Sequence, residues 1–333
     1  MASMQTVAVA RNAMATRFEI VLHGENPVAL RAAAEEALDE VERLEAQLSL
    51  YRRSSEISHI NSRAAAGPVR VEPGLFRLLQ RAQLLSRESG GAFDITIAPL
   101  MRCWGFMSGT GELPDPGDLA EARSKVGMHR VLLNEKDFTI QFAGEGVMLD
   151  LGAIGKGYAL ECAAEILREA GVQSALLHGG TSTIHAIGAP PEATAWKVAI
   201  EHLGYAQHIS GAEPAAAPTN DADPVLAIVP LKDEALSVSA VWGKSFEAGG
   251  KTYGHVIDPR TGAPAEGAVL AAVALPSATE TDALSTALLT LGLEGHDQIA
   301  RLRSGMRTLV AARTETAGQF RVEARGIVVR GGS

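Results

Sequence analysis

Cysteine is nearly absent: the 333 residues hold two, Cys103 and Cys162. They lie far apart, and neither has a second Cys or a His at zinc-ligand spacing, so neither a zinc ribbon nor a disulfide scaffold is expected. Cys162 falls in a helical pattern and Cys103 beside Trp104; both are expected to be small buried hydrophobes in a reducing compartment. Long hydrophobic runs are missing too. No segment reaches the ~18 apolar residues that a membrane helix requires. The opening MASMQTVAVARNAMATRF has neither a basic segment leading into an apolar run nor a cysteine for lipid attachment. A cytoplasmic protein is therefore expected, or a periplasmic one if the native chain begins further upstream. Positive charge is in deficit, with 30 Lys and Arg against 39 Asp and Glu and a net charge of -9, which argues against nucleic acid or an anionic membrane as partner. An anionic ligand stays open, because a local cation or metal can reverse the field inside a cleft.

What is present is an ordinary globular composition, 46% hydrophobic and 21% charged, in a chain long enough for a sizeable core. The stretch VAVARNAMATRFEIVLHG predicts two strands around a turn at Asn12-Ala13. Asn26-Pro27 gives a cap and a first-turn proline, and Leu30, Ala34, Leu38, Val41, Leu44 and Leu48 follow at helical spacing. A second helix is expected over about Pro73–Glu88, stopped by Gly90-Gly91. Val147–Leu151 reads as a short strand running through glycines into a helix from about Lys156 to Ala170. Strands are expected at 174–177, 184–187 and 196–200, a hairpin around Gly249-Gly250, and a helix at about 279–291. Residues 203–224 are rich in Ala, Pro and Asp without a period and read as a surface insertion. Helices and strands alternate without βαβ regularity or internal repeats, which favours an α+β fold in a single domain over about 5–325.

Three segments could carry chemistry. In LDLGAIGKGYA, Asp150 precedes a glycine turn and a helix beginning near Lys156. Such a turn aims free backbone N–H groups, with the lysine charge, at an anion. It is neither a Walker A loop nor GxGxxG, because Gly157 and Leu160 stand at the wrong places. A tight turn with a solvated lysine would look the same. In ATETDALSTALLTLG, Asp282 and Thr286 are four apart and share a helix face. Two hard oxygen donors suit Mg²⁺, though such a pair more often caps or solvates a helix. In GHVIDPRTG, His255 is expected on a strand ending at Asp258-Pro259. Its bland reading pairs Asp258 with Arg260 across the turn while His255 fills a strand face.

Taken together these segments resemble the ApbE family of FAD:protein FMN transferases, over about Met14 to Gly292. The resemblance rests on Met14-Ala15-Thr16; Ser49, Tyr51, Ser55, Glu56, Ile57 and Asn61; Gly91–Thr96 with Leu100 and Trp104-Gly105-Phe106; Asp150–Ala159; His255–Gly262; and Asp282–Thr286. It implies an α+β fold of two lobes built on T-fold-like antiparallel sheets, with the site between them. The implied activity is Mg²⁺-dependent transfer of FMN from FAD to a Ser or Thr hydroxyl of an acceptor flavoprotein, releasing AMP. Met14, Tyr51, Ala92, Phe93 and Asp94 would line the FAD site with Asp150, Lys156 and His255. Mg²⁺ would be held by Asp282, Thr286 and the carbonyl of Ala153. His255, whose imidazole titrates in the useful range, is the candidate base, and Asp282 joins it as the second catalytic residue. A Mg²⁺-dependent FAD pyrophosphatase and a non-enzymatic flavin binder remain as alternatives. One motif departs: the family resembled usually follows Gly-Gly with Asp or Asn and, two residues later, Arg, whereas Gly179-Gly180 is followed by Thr181-Ser182-Thr183.

Overall fold

The computed structural model describes residues 4–109, 111–201, 224–242, 245–316 and 319–330. Strands β1 (Gln5–Ala13) and β2 (Thr16–Gly24) lead into helix α1 (Pro27–Leu48), then α2 (Glu56–Arg63), β3 (Val69–Arg70) and α3 (Pro73–Glu88). Two short helices follow, α4 (Ala98–Cys103) and α5 (Pro116–Ser124), then β4 (Val131–Asn134) and β5 (Thr139–Phe142). Next come α6 (Gly155–Glu169), β6 (Ala175–Gly179), β7 (Thr183–Ile187), β8 (Trp196–Glu201), β9 (Val225–Leu231) and β10 (Ala235–Ala240). The chain continues with β11 (Ser245–Ala248), β12 (Lys251–Gly254), β13 (Leu270–Leu275), α7 (Ala278–Leu291), α8 (His296–Ala300), β14 (Arg307–Arg313) and β15 (Phe320–Arg325).

An eight-stranded sheet in the order β1-β2-β6-β7-β10-β13-β14-β15 organises the fold, and every neighbouring pair is antiparallel. This is an α+β architecture. Helices α1, α6 and α7 bury their apolar stripes on one face, in a cluster that includes Leu38, Leu160 and Leu288. The β8–β9 hairpin lays Trp196, Val198, Ile200 and Val229 on the other face. Strand β13, covered on both sides, is therefore buried at all six positions instead of alternating. A smaller sheet, β3-β5-β4, and the β11–β12 hairpin complete the chain.

Several expectations hold at residue level. Asn26 caps α1 by accepting from Val28 and Ala29 N–H, with Pro27 in the first turn, and α3 runs over Pro73–Glu88. Others are corrected. The first turn lies at Met14-Ala15, not Asn12-Ala13: β1 continues so that Ala13 is buried and pairs with Thr16. Both turn residues take positive φ, 50° and 58°, the geometry of a tight hairpin turn, which costs a non-glycine residue about 1 kcal/mol or more each. Val147–Leu151 forms no strand. Asn61 replaces the missing neighbour, donating to Leu149 O at 3.0 Å and accepting from Leu149 N–H at 2.8 Å. His255 follows β12 in a bend instead of lying on a strand. Cys103 and Cys162 are free and each partly exposed, not fully buried. Helices α2, α4 and α5 were not expected. The expected insertion at 203–224 lies outside the described residues but for Pro224.

Candidate active site

The site grows from the meeting of α6 and α7. Gly157, in the first turn of α6, faces α7 so closely that a Cβ would stand 2.2 Å from Ala278 O and 2.7 Å from Asp282 Cβ. Because nothing occupies that space, the Gly157 N–H donates to Asp282 Oδ2 at 2.9 Å. The N-terminal residue Ile154 offers α6 no side-chain cap, so a carboxylate 125 positions away in sequence satisfies one of the helix's free donors. The expected anion site at this helix start is thus partly filled by the protein's own Asp282. The other carboxylate oxygen, Oδ1, accepts from Thr183 Oγ1 at 3.4 Å and has Lys156 Nζ 4.0 Å away. Asp282 is only 5% exposed, so these contacts compensate the cost of burying its charge.

One turn further along α7, Thr286 Oγ1 lies 3.2 Å from Asp282 O and 3.3 Å from Ser239 Oγ. The turn before α6 is fixed separately. Asp150 N–H donates to Ile95 O at 2.7 Å, and Asp150 Oδ1 accepts from Gly152 N–H at 2.8 Å. Burial raises the Asp150 carboxyl above its usual range, with Lys156 opposing that shift.

Around these groups opens a cavity of about 950 Å³. Asp150, Ala153, Lys156, Asp282 and Thr286 line it, so the three residues suggested for a metal border one space with the lysine turn. Ala92, Phe93 and Asp94 form another part of the wall, and His255 faces it from just past β12. Beyond His255, Asp258 accepts from Arg260 at 2.7 Å and from its backbone N–H at 2.9 Å. Asp258 N–H donates to Ala263 O, and Trp104 Nε1 donates to Gly262 O, each at 2.8 Å. These bonds tie together the polar turn that begins three residues after His255.

Three residues picked from sequence sit differently. Asp94 lines the cavity as expected, but its carboxylate is already engaged, accepting from Thr96 N–H, Thr96 Oγ1 and Met128 N–H, while burial raises its pKa. Tyr51 does not line the cavity and is 67% exposed. Partial desolvation and then the Asp150 charge raise its phenol, which places it near that carboxylate. Met14 packs against the main core. Its turn touches the cavity wall indirectly, because a Cβ on Gly180 would meet Thr16 Oγ1 at 2.3 Å. Sequence reasoning missed His178, which lines the cavity and is held below its usual pKa by burial. Its position just before Gly179-Gly180, at a strand end, was the available signal. Ser239, Lys197 and Trp242 were also missed.

Among the described residues no group of three or more His, Cys, Asp or Glu gathers to hold a metal. Ala153, Asp282 and Thr286 line one cavity, which offers a carbonyl, a carboxylate and a hydroxyl. That hard, half-filled oxygen set fits Mg²⁺, which keeps waters and takes phosphate oxygens for the rest of its shell. It does not fit a zinc or iron site.

Comparison with known proteins covers nearly the whole chain. The sequence model of the ApbE family matches residues 14–310. An FAD:protein FMN transferase of Treponema pallidum is 30% identical over 309 residues, covering 88% of this chain and 81% of the relative. One from Haemophilus influenzae is 28% identical, over 86% and 81% of the two chains. The apo crystal structure of the Pseudomonas stutzeri flavinyl transferase ApbE superposes with a TM-score of 0.80 at 28% identity, over 97% of this chain and 95% of that one.

Proposed function

The chain belongs to the ApbE family, and from that premise we propose that it is an FAD:protein FMN transferase that moves FMN from FAD onto a Ser or Thr hydroxyl of an acceptor flavoprotein, releasing AMP. The observation that carries this reading is the convergence of Asp282 on the first turn of α6, with Lys156 4.0 Å from the carboxylate and His255 on the same cavity. Hydrolysis or transfer at a pyrophosphate requires relief of phosphate charge and a base for the incoming hydroxyl. This cavity offers both.

Asp282 Oδ1, Thr286 Oγ1 and the Ala153 carbonyl would hold Mg²⁺. When bound, the ion would draw charge from the FAD phosphates and the departing AMP. Lys156 adds a positive charge beside the same oxygens. Phe93 and Ala92, both buried in the wall, give the flavin an apolar surface. His255, which lines the cavity three residues before the Asp258–Arg260 ion pair, would take the acceptor's proton.

The test is incubation with FAD, Mg²⁺ and a panel of candidate flavoprotein acceptors, followed by a denaturing gel read for flavin fluorescence and by assay of AMP. Fluorescence on an acceptor band with equivalent AMP supports the transferase. Free FMN with AMP points to a pyrophosphatase, and FAD retained intact in the cavity to a simple flavin binder.

A further inference from the structure

The cavity wall carries two hydroxyls that the protein does not use. Gly179 pairs with Thr183 across the β6–β7 connection, leaving Gly180, Thr181 and Ser182 as a three-residue loop with Gly180 at φ 69°. All three line the cavity. Neighbouring hydroxyls are engaged. Thr183 donates to Asp282, Ser237 donates to Thr281 at 2.8 Å, and Ser239 shares hydrogen bonds with Ser285 and Thr286. Among the described residues the side chains of Thr181 and Ser182 make no hydrogen bond. Thr181, at the loop tip, is exposed, whereas Ser182 is half-buried and its carbonyl accepts from Val238 N–H at 2.7 Å.

Distance makes this loop relevant to the chemistry. Two residues of chain span at most about 7 Å. The Thr181 Cα therefore lies within that reach of Thr183, whose hydroxyl is 3.4 Å from Asp282 Oδ1. A phosphate held beside Asp282 and Lys156 would share the cavity with the loop tip. A hydroxyl at the loop tip can react as well as bind.

We propose that Thr181 is a self-acceptor, taking the FMN group in cis. The inference rests on the transferase reading above. Thr181 Oγ1 attacks the phosphorus on the riboflavin side of FAD, and the bond from that phosphorus to the bridging oxygen breaks. AMP leaves with the bridging oxygen, and the hydroxyl proton passes to His255 and on to solvent. A phosphodiester then joins Thr181 to riboflavin, with no change in oxidation state. Thr181 offers a single hydroxyl, so labelling at this position stops at one flavin per chain.

The test uses the full chain with FAD and Mg²⁺ and no acceptor. The expected result is a fluorescent band at the chain's own position after denaturation, with an intact mass raised by one FMN less one water. Fragmentation of the tryptic peptide between Arg168 and Lys197 should place the added mass on Thr181, and AMP should equal the bound flavin. Thr181→Val should lose the band and Thr181→Ser should keep it. An unlabelled chain with AMP and free FMN would overturn self-acceptance while leaving cleavage of the pyrophosphate intact. A label on any other residue, or one that survives in Thr181→Val, overturns the assignment to Thr181. Intact FAD without AMP, both here and with candidate acceptors, overturns the transferase reading as well. The unsubstituted chain decides the matter even if a variant fails to fold.

Discussion

At Gly157 a hydrogen in place of a methyl group lets α6 and α7 touch, and the backbone N–H so exposed caps Asp282. Gly157→Ala must push the helices apart against backbone at 2.2 Å. The expected outcome is a loss of about 1–3 kcal/mol in stability, as overpacking usually costs, together with weaker Mg²⁺ affinity; thermal melting and metal titration check the two halves. His255 is the complementary case, a side chain whose loss should spare the fold. His255→Ala should leave FAD affinity within a few-fold and cut transfer by ~10²-fold or more, the usual scale for a lost general base. Unchanged transfer in a folded variant would remove the imidazole from the mechanism. Most of these residues were legible as members of short motifs. What no motif could show is that the Asp94 carboxylate faces Thr96 and Met128, or that Asp282 caps a distant helix, because both depend on partners brought in by the fold.

Elements announced by local chemistry were found where the sequence put them. Helices α1 and α3 carry a cap and a proline at their start, and α6 and α7 begin and end within a residue or so of their glycines and their apolar periods. Elements that depend on long-range partners were not legible. The extended stretch before Asp150 has the β-rich look of a strand, yet its partner is the side chain of Asn61, 88 positions earlier. Helix α2, which carries Asn61, shows only two buried apolar positions, Ile57 and Ile60, too few for a period. This pairing makes a prediction at the level of the element. Asn61→Leu strips both hydrogen bonds from the buried Leu149 backbone and should cost about 1–3 kcal/mol for groups left unsatisfied. It should also loosen the Asp150 turn, so FAD affinity should fall with stability. Unaltered melting would show that water or a shifted strand replaces Asn61.

For the whole molecule, one sheet covered by helices on one face and a hairpin on the other leaves a core in which β7 is buried at every position. His185 on that strand is 1% exposed; its Nε2 lies 3.0 Å from Arg168 Nη2 and its buried Nδ1 has no hydrogen-bond partner among the described residues. Burial, reinforced by Arg168 and opposed by Glu161 and Asp233, lowers it from 6.5 to about 4. Above pH 6.5 neither the folded nor the unfolded chain binds this proton, and stability is complete. Between 6.5 and about 4 the unfolded chain takes it up while the native one resists, so stability should fall by about 3 kcal/mol. A His185→Gln variant should lose part of that pH dependence in denaturant titrations. The central claim, that one cavity joins a metal site on α7 to phosphate chemistry at the start of α6, is tested most directly by a different measurement. AMP release and covalent flavin are followed with FAD and candidate flavoprotein acceptors, with Mg²⁺ or with chelator, in the unsubstituted chain and in Asp282→Asn. The substitution keeps an oxygen for the Gly157 N–H and removes the charge. The account predicts Mg²⁺-dependent AMP release matched by protein-bound flavin, both reduced by ~10²-fold or more in Asp282→Asn while melting shifts by no more than a few degrees. AMP release and flavin transfer that persist under chelation, or in a folded Asp282→Asn protein, would contradict it.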